Sequence, residues 1–102
     1  MFEMKNLQNI KKLEEAAPEG MKAFWAFDKA AFAPGAIDAK NKQLIAIAVA
    51  LTTQCAYCIE LHRKAARDAG ATDAELAETA LVAAAIRAGG AITHATHLHQ
   101  GG

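Results

Sequence analysis

The run Leu44-Ile45-Ala46-Ile47-Ala48-Val49-Ala50-Leu51 decides the fold class of this chain. Its larger apolar residues alternate with alanine, a pattern that also fits a β-strand. Alanine, however, is the best helix former and a poor strand former. No hairpin turn follows the run, and the sequence offers no second strand-like run to pair with it. We therefore predict a helix here, and because it is apolar on all sides we expect it at the centre of an all-α domain.

Cap and turn residues divide the rest of the chain into helices. Pro18 suits the first turn of a helix, and Asp38 is a good N-cap. Gly70 is a natural residue to follow a helix end, whereas Gly89 and Gly90 are expected to break a helix near its end. The predicted helices are 3–17, 18–33, 39–53, 55–68, one that opens at the capping box Thr72-x-x-Glu75, and 91–98. Residues 1–102 are predicted to form one domain of five or six helices.

Both cysteines lie in one short motif, C-x-x-C-x-x-x-H, formed by Cys55, Cys58 and His62. In a helix each residue turns the chain by about 100°, so the three side chains would share one narrow stripe. Cys58 and His62 would be neighbours at i, i+4, and the cysteines at i, i+3 could close a disulfide. A helix N-terminus or an adjacent imidazolium lowers the pKa of a thiol and favours the reactive thiolate. The motif predicts a redox-active dithiol at the start of a helix.

Two other interpretations of the motif stay open. Zinc prefers four ligands, and Cys55, Cys58 and His62 supply three on a stripe that leaves little room for a tetrahedron. The histidines that could add a fourth ligand are His94, His97 and His99. In the other interpretation the motif is two buried, inert cysteines and a surface histidine.

Composition limits the possible partners. Lysine plus arginine equals aspartate plus glutamate, so no basic excess supports nucleic-acid binding. Hydrophobic residues make up 53% of the chain, many of them alanine, which suggests apolar surface left for a partner subunit. The second helix carries a broad aromatic face, which is expected in the core or in a subunit interface and includes Phe24, Trp25, Phe27 and Phe32. The longest wholly apolar run, Leu44–Leu51, is too short to span a bilayer, and residues 1–12 lack the apolar stretch of a signal peptide. We expect a cytoplasmic protein without membrane contact.

Several segments together resemble the alkyl hydroperoxidase D / carboxymuconolactone decarboxylase-like family. The likeness covers roughly residues 20–98 and is most specific at the motif of two cysteines and a histidine after an apolar helix. The segments are Lys42-Gln43-Leu44 through Ala50-Leu51, Cys55-Ala56-Tyr57-Cys58-Ile59 with His62, Ala69-Gly70-Ala71, and Gly89-Gly90-Ala91.

The resemblance implies an all-helical fold that assembles as a homotrimer or homohexamer. It implies a thiol peroxidase or disulfide reductase in which Cys55 and Cys58 cycle between dithiol and disulfide, without cofactor or metal. The decarboxylase branch generally lacks the cysteine pair, so its presence favours the redox branch. Hydroperoxide would be the substrate, and an external thiol or dithiol would be the reductant.

One position departs from the family pattern. Peroxidatic members usually carry a glutamate at the place of Gln43, and glutamine cannot accept a proton at neutral pH. His62 would then be the main base, with Gln43 and Tyr57 in supporting roles. Glu60 does not replace the glutamate, because its side chain would point about 160° away from His62 on the helix. The alternatives are a disulfide reductase without significant peroxidase activity, and a non-catalytic oligomeric binding protein that keeps the fold.

Overall fold

The computed structural model describes residues 2–101, so Met1 and Gly102 of the predicted domain lie outside the described part. Five α-helices make up most of it, and residues 2–101 contain no β-strand. The all-α prediction is therefore confirmed. In chain order the elements are a 3₁₀ segment Met4–Asn9, α1 Ile10–Ala16, α2 Pro18–Phe32, α3 Ala39–Thr53, α4 Ala56–Asp68, α5 Asp73–Ala95 and a 3₁₀ turn Thr96–His99.

The predicted caps form as local hydrogen bonds. The side chain of Asp38 accepts from the backbone N–H of Asn41 at 2.8 Å and starts α3. Thr72 and Glu75 make both bonds of a capping box at the start of α5. Gly70 follows the end of α4 with φ +95°, a left-handed conformation that costs glycine little. These signals fix where three of the helices begin or end.

Two helix predictions are wrong in detail. The first predicted helix, 3–17, is α-helical only over Ile10–Ala16; the preceding segment Met4–Asn9 forms a 3₁₀ helix, a tighter form that is frequent at the N-terminus of an α-helix. Gly89 and Gly90 do not interrupt α5, which continues to Ala95. Glycine costs about 1 kcal/mol relative to alanine within a helix. A long helix absorbs that cost, since propagation adds a hydrogen bond per residue. The separate helix 91–98 therefore does not exist.

The core lies where α3, α4 and α5 meet, and it is small. The buried residues are Ile47, Ala50, Ala66, Ala71 and Ala83, with Leu44, Leu51 and Leu76 packed around them. The prediction that α3 is buried on all sides is wrong for the single chain. Ile45 is 50% exposed and Val49 is 55% exposed, since α3 packs mainly against α4 and α5 and little against α2.

The chain is extended for its size. Its radius of gyration is 17.4 Å, with extents of 57 × 34 × 30 Å. A compact domain of this length has a radius of gyration near 13 Å. The stretch Asp73–His99 is also long and apolar enough to cross a membrane, judged by length and composition alone. A single helix of this kind is weak evidence for a membrane span, since core helices of water-soluble proteins can meet the same criterion.

Candidate active site at the start of α4

A tight turn joins α3 to α4 and places the first cysteine. Gln54, the residue after α3, has φ 59° and ψ 39°, the left-handed conformation that reverses the chain. The backbone N–H of Cys55 then bonds to the carbonyl of Ala50 at 3.0 Å. Because only two residues separate the helices, Cys55 is held at the end of α3 and at the N-terminus of α4.

The two cysteines form a disulfide, and their Cα atoms are 5.3 Å apart. Cys55 is the N-cap of α4 with an extended backbone, so the predicted helical stripe applies to Cys58 and His62 only. The Sγ atom of Cys55 accepts a hydrogen bond from the backbone N–H of Cys58 at 3.2 Å. A helix N-terminus favours negative charge at this position. The geometry therefore suits a thiolate at Cys55 once the disulfide is reduced.

His62 lies on α4, one turn after Cys58, and two residues from other helices contact its ring. The Nδ1 atom is 2.7 Å from Oε1 of Gln43 on α3. An amide oxygen only accepts, so Nδ1 is the donor, and in the neutral ring Nε2 keeps the free lone pair. Gln43 thus sets the tautomer of His62. The sequence placed Gln43 in a supporting role for His62, and the structure brings the two together.

Phe32 contacts the same ring and is the residue that sequence reasoning missed. Its ring is stacked on the imidazole of His62, with centroids 4.9 Å apart and planes 14° apart. The sequence placed Phe32 only on the aromatic face of α2. No local signal distinguishes it from the other aromatic residues there, because the contact joins α2 to α4.

Tyr57, between the two cysteines, contacts the N-terminal segment through its hydroxyl and its ring. Its hydroxyl oxygen accepts from the side-chain amide of Asn6 at 3.3 Å and from the backbone N–H of Glu3 at 3.5 Å. The ring of Phe2 packs edge-on against it, with centroids 4.7 Å apart. Tyr57 therefore fastens the start of the chain beside the dithiol.

Glu60 is occupied by an ion pair with Arg63, one turn away on α4. The hydrogen bond from Arg63 holds the pKa of the Glu60 carboxyl below its usual range, with a smaller opposing effect from burial. A carboxylate with a lowered pKa is a weaker base. This supports the sequence argument that Glu60 does not replace the missing glutamate.

Two of the tail histidines contact each other. His94 and His97 are stacked on each other, with ring centroids 5.6 Å apart. Across residues 2–101, no group of three or more histidine, cysteine or acidic side chains is arranged to hold a metal ion. The zinc interpretation of the motif therefore gains no support from the geometry.

The fold and the site together define a class, an all-helical domain with a cysteine pair at a helix N-terminus and a histidine one turn later. The model of the carboxymuconolactone decarboxylase family matches residues 18–100. The chain belongs to this family.

Relatives in sequence and in structure agree with that assignment. The chain is 55% identical over 73 residues to an uncharacterized protein of the cox locus of Paracoccus denitrificans, covering 72% of this chain and 66% of that one. It is 40% identical over 55 residues to an uncharacterized protein of Haemophilus influenzae, covering 54% and 49%. The chain thus spans between about half and two thirds of the length of these relatives.

Two solved structures extend the comparison. One is a carboxymuconolactone decarboxylase family protein of Legionella pneumophila, with a TM-score of 0.76 and 35% identity over 80% of this chain and 73% of that chain. The other is a protein of Methanobacterium thermoautotrophicum, with a TM-score of 0.81 and 36% identity over 88% and 98%.

Proposed function

We propose that the protein is a thiol-dependent peroxidase that reduces hydroperoxides through a dithiol–disulfide cycle of Cys55 and Cys58, assisted by His62. The observation that carries the proposal is the disulfide at the N-terminus of α4, with an oriented imidazole on the same helix. A pair that closes a disulfide within three residues can pass between its two redox states without rearranging the fold.

In the proposed reaction the cysteine pair carries two electrons from the reductant to the peroxide in three steps. The thiolate of Cys58 attacks the terminal oxygen of the hydroperoxide, the S–O bond forms as the O–O bond breaks, and the departing alkoxide takes a proton and leaves as the alcohol. The thiol of Cys55 then attacks the sulfenic acid at Cys58, the S–S bond forms, and the oxygen leaves as water. Two external thiols, or one dithiol, supply two electrons and two protons, restore both cysteines by exchange and are themselves oxidised to a disulfide.

His62 is the proton carrier in this scheme. Its Nε2 atom takes the proton of the attacking thiol and returns it to the departing alkoxide. Gln43 orients the ring through Nδ1 but cannot take a proton from it. The proton on Nδ1 therefore has no carboxylate to which it could pass. This is the reason to expect a slower peroxidase than one with glutamate at this position.

Two observations bear on which cysteine attacks the peroxide. The i, i+4 relation to His62 favours Cys58, whereas the bond from the Cys58 backbone N–H to the Cys55 sulfur favours a thiolate at Cys55. Replacing each cysteine by serine and trapping the sulfenic acid with a dimedone probe separates the two. Cys55→Ser should be labelled and Cys58→Ser should not. Labelling of the Cys58→Ser protein alone would reverse the order.

The proposal is tested by peroxide consumption with a supplied dithiol, comparing wild type with Cys58→Ser and His62→Asn. We expect Cys58→Ser to be inactive and His62→Asn to lose about 10²-fold or more, the usual contribution of a general base. His94→Asn, an exposed histidine outside the site, is the matched control. Equal rates of peroxide consumption for wild type and Cys58→Ser would reject the proposed peroxidase function.

A second candidate function is disulfide reduction without significant peroxidase activity. Gln43 is the observation that favours it, because thiol–disulfide exchange needs no proton relay to an alkoxide. Reduction of a protein disulfide by the reduced protein, at a normal rate beside very slow peroxide consumption, would select this function. A protein inactive in both assays would support a non-catalytic binding role.

The proposed assembly is a homo-oligomer, a trimer or a hexamer. The chain exposes 7681 Å². A compact monomer of 10.8 kDa exposes about 5,500 Å², so roughly 2,100 Å² is in excess. A standard interface takes about 800 Å² per partner. Much of the excess is apolar and lies on α3 and α5, where Ile45 and Val82 line an open groove of about 490 Å³. Neither nucleic acid nor membrane is a proposed partner, and the proposed location is the cytoplasm.

A further inference from the structure

We propose that Phe32, held in place by Lys42, is a positioning residue for His62. The stack of the two rings, 4.9 Å apart and nearly parallel, is the contact that carries this. The effect of this positioning on catalysis rests on the proposed function, but the position of the His62 ring can be measured whether or not the protein is a peroxidase. Phe32 is the last residue of α2 and is half-buried. Phe27, on the same helix, is 71% exposed, so the contact is specific to the helix end.

Lys42 fixes the backbone on both sides of Phe32. Its Nζ atom donates to the carbonyl of Ala31 at 2.9 Å and to the carbonyl of Ala33 at 2.5 Å. Carbonyls in the last turn of a helix have no partner within the helix, and a positive charge there is favourable. Lys42 therefore satisfies the C-terminal end of α2. Because it binds the two residues that flank Phe32, it also sets the direction of the ring.

Two neighbouring residues of α3, Lys42 and Gln43, act on the His62 ring by different routes. Gln43 reaches the ring directly through Nδ1, and its neighbour Lys42 reaches it through α2 and Phe32. Gln43 constrains the ring edge, whereas Phe32 constrains the ring plane. Together they fix the rotation of the imidazole about its side-chain bonds and hence the direction of Nε2. A reacting group that is misplaced by about 1 Å can cost about 10²-fold in rate, so this alignment matters for proton transfer.

The experiment uses the whole protein with isotopically labelled histidine, and the His62 signals are assigned with His62→Asn. In wild type the stacked ring of Phe32 displaces the ring-proton resonances of His62. Phe32→Leu should abolish that displacement, and Lys42→Met should reduce it. The matched controls Phe27→Leu and Lys29→Met, both on exposed positions of α2, should leave it unchanged. Phe32→Tyr keeps a flat ring and should keep the displacement.

Peroxide consumption gives the second readout. We expect kcat to fall about 10- to 100-fold in Phe32→Leu and less in Lys42→Met, with recovery in Phe32→Tyr. Unchanged His62 resonances in both Phe32→Leu and Lys42→Met would overturn the proposal. If wild type consumes no peroxide, the proposed function fails, while the resonances still decide whether Phe32 and Lys42 position the ring.

Discussion

Replacing Val82 by lysine and Ile86 by glutamate in one protein tests whether α5 is a subunit interface. The two residues lie one turn apart on α5 and are 63% and 71% exposed in the single chain. The double substitution leaves the net charge unchanged. It also places the new lysine one turn from Glu78 and from the new glutamate, so both new charges have a favourable i, i+4 partner.

The expected magnitude depends on whether a second chain covers this face. If the face is exposed, the free energy of unfolding should change by less than about 0.5 kcal/mol, because surface substitutions have little effect. If the face is covered, each aliphatic side chain contributes about 1.5–3 kcal/mol, so the pair removes about 3–6 kcal/mol per chain. A loss of 3 kcal/mol alone weakens association by about 100-fold. Burial of the new charges would add to the loss.

Light scattering and sedimentation over a range of protein concentrations measure the effect. We expect wild type to have a multiple of the 10.8 kDa chain mass and the double variant to dissociate at concentrations where wild type does not. Lys64→Glu, on an exposed position of α4, is the matched control and should keep the wild-type mass. A monomeric wild type, or a double variant as fully assembled as wild type, would contradict the proposal that the exposed apolar face of α5 is a subunit interface.

Three further predictions concern single residues. Gln43→Glu should raise peroxide consumption by about 10²-fold, because a carboxylate bonded to His62 can accept the proton that glutamine cannot. Gln54→Val should lower the free energy of unfolding by about 1–2 kcal/mol in denaturant titrations, because a β-branched residue is strained at φ 59°. Glu75→Gln should remove part of the acid sensitivity of folding. The hydrogen bond from Lys40 holds the pKa of Glu75 below its usual range, so its contribution is present above that range and is lost on acidification through the lowered pKa.

Controls separate these effects from general damage. Gln54→Gly should not reduce stability as Gln54→Val does, since glycine adopts the left-handed conformation freely. Wild type and Glu75→Gln should differ most in stability near neutral pH and converge in acid; a gap that widens on acidification would contradict the sign. Gln43→Glu with an unchanged rate, despite a retained bond to His62, would contradict a proton-relay role at that position.

Local signals in the sequence predicted the helix boundaries where a cap or a turn determines them. Asp38, the Thr72–Glu75 box and Gly70 act within a few residues of their own position, so the structure confirms them. The helix break predicted at Gly89 and Gly90 was wrong, because the helix-propensity cost of glycine, about 1 kcal/mol per residue, is outweighed by the continuation of a long helix. The burial of α3 was overestimated for a different reason: periodicity shows which faces are apolar but not whether this chain or another covers them.

The candidate site also combines features that act within one helix with contacts between helices. The sequence predicted a cysteine pair at the start of one helix and a histidine one turn later; the i, i+4 relation of Cys58 and His62 follows from the helix pitch, whereas Cys55 precedes the helix as its N-cap. The contacts of Gln43 and Phe32 with the two sides of the imidazole became visible only in the folded chain, since they depend on how α2, α3 and α4 pack together. Helix packing depends on the shape of whole surfaces, and no short stretch of sequence encodes it.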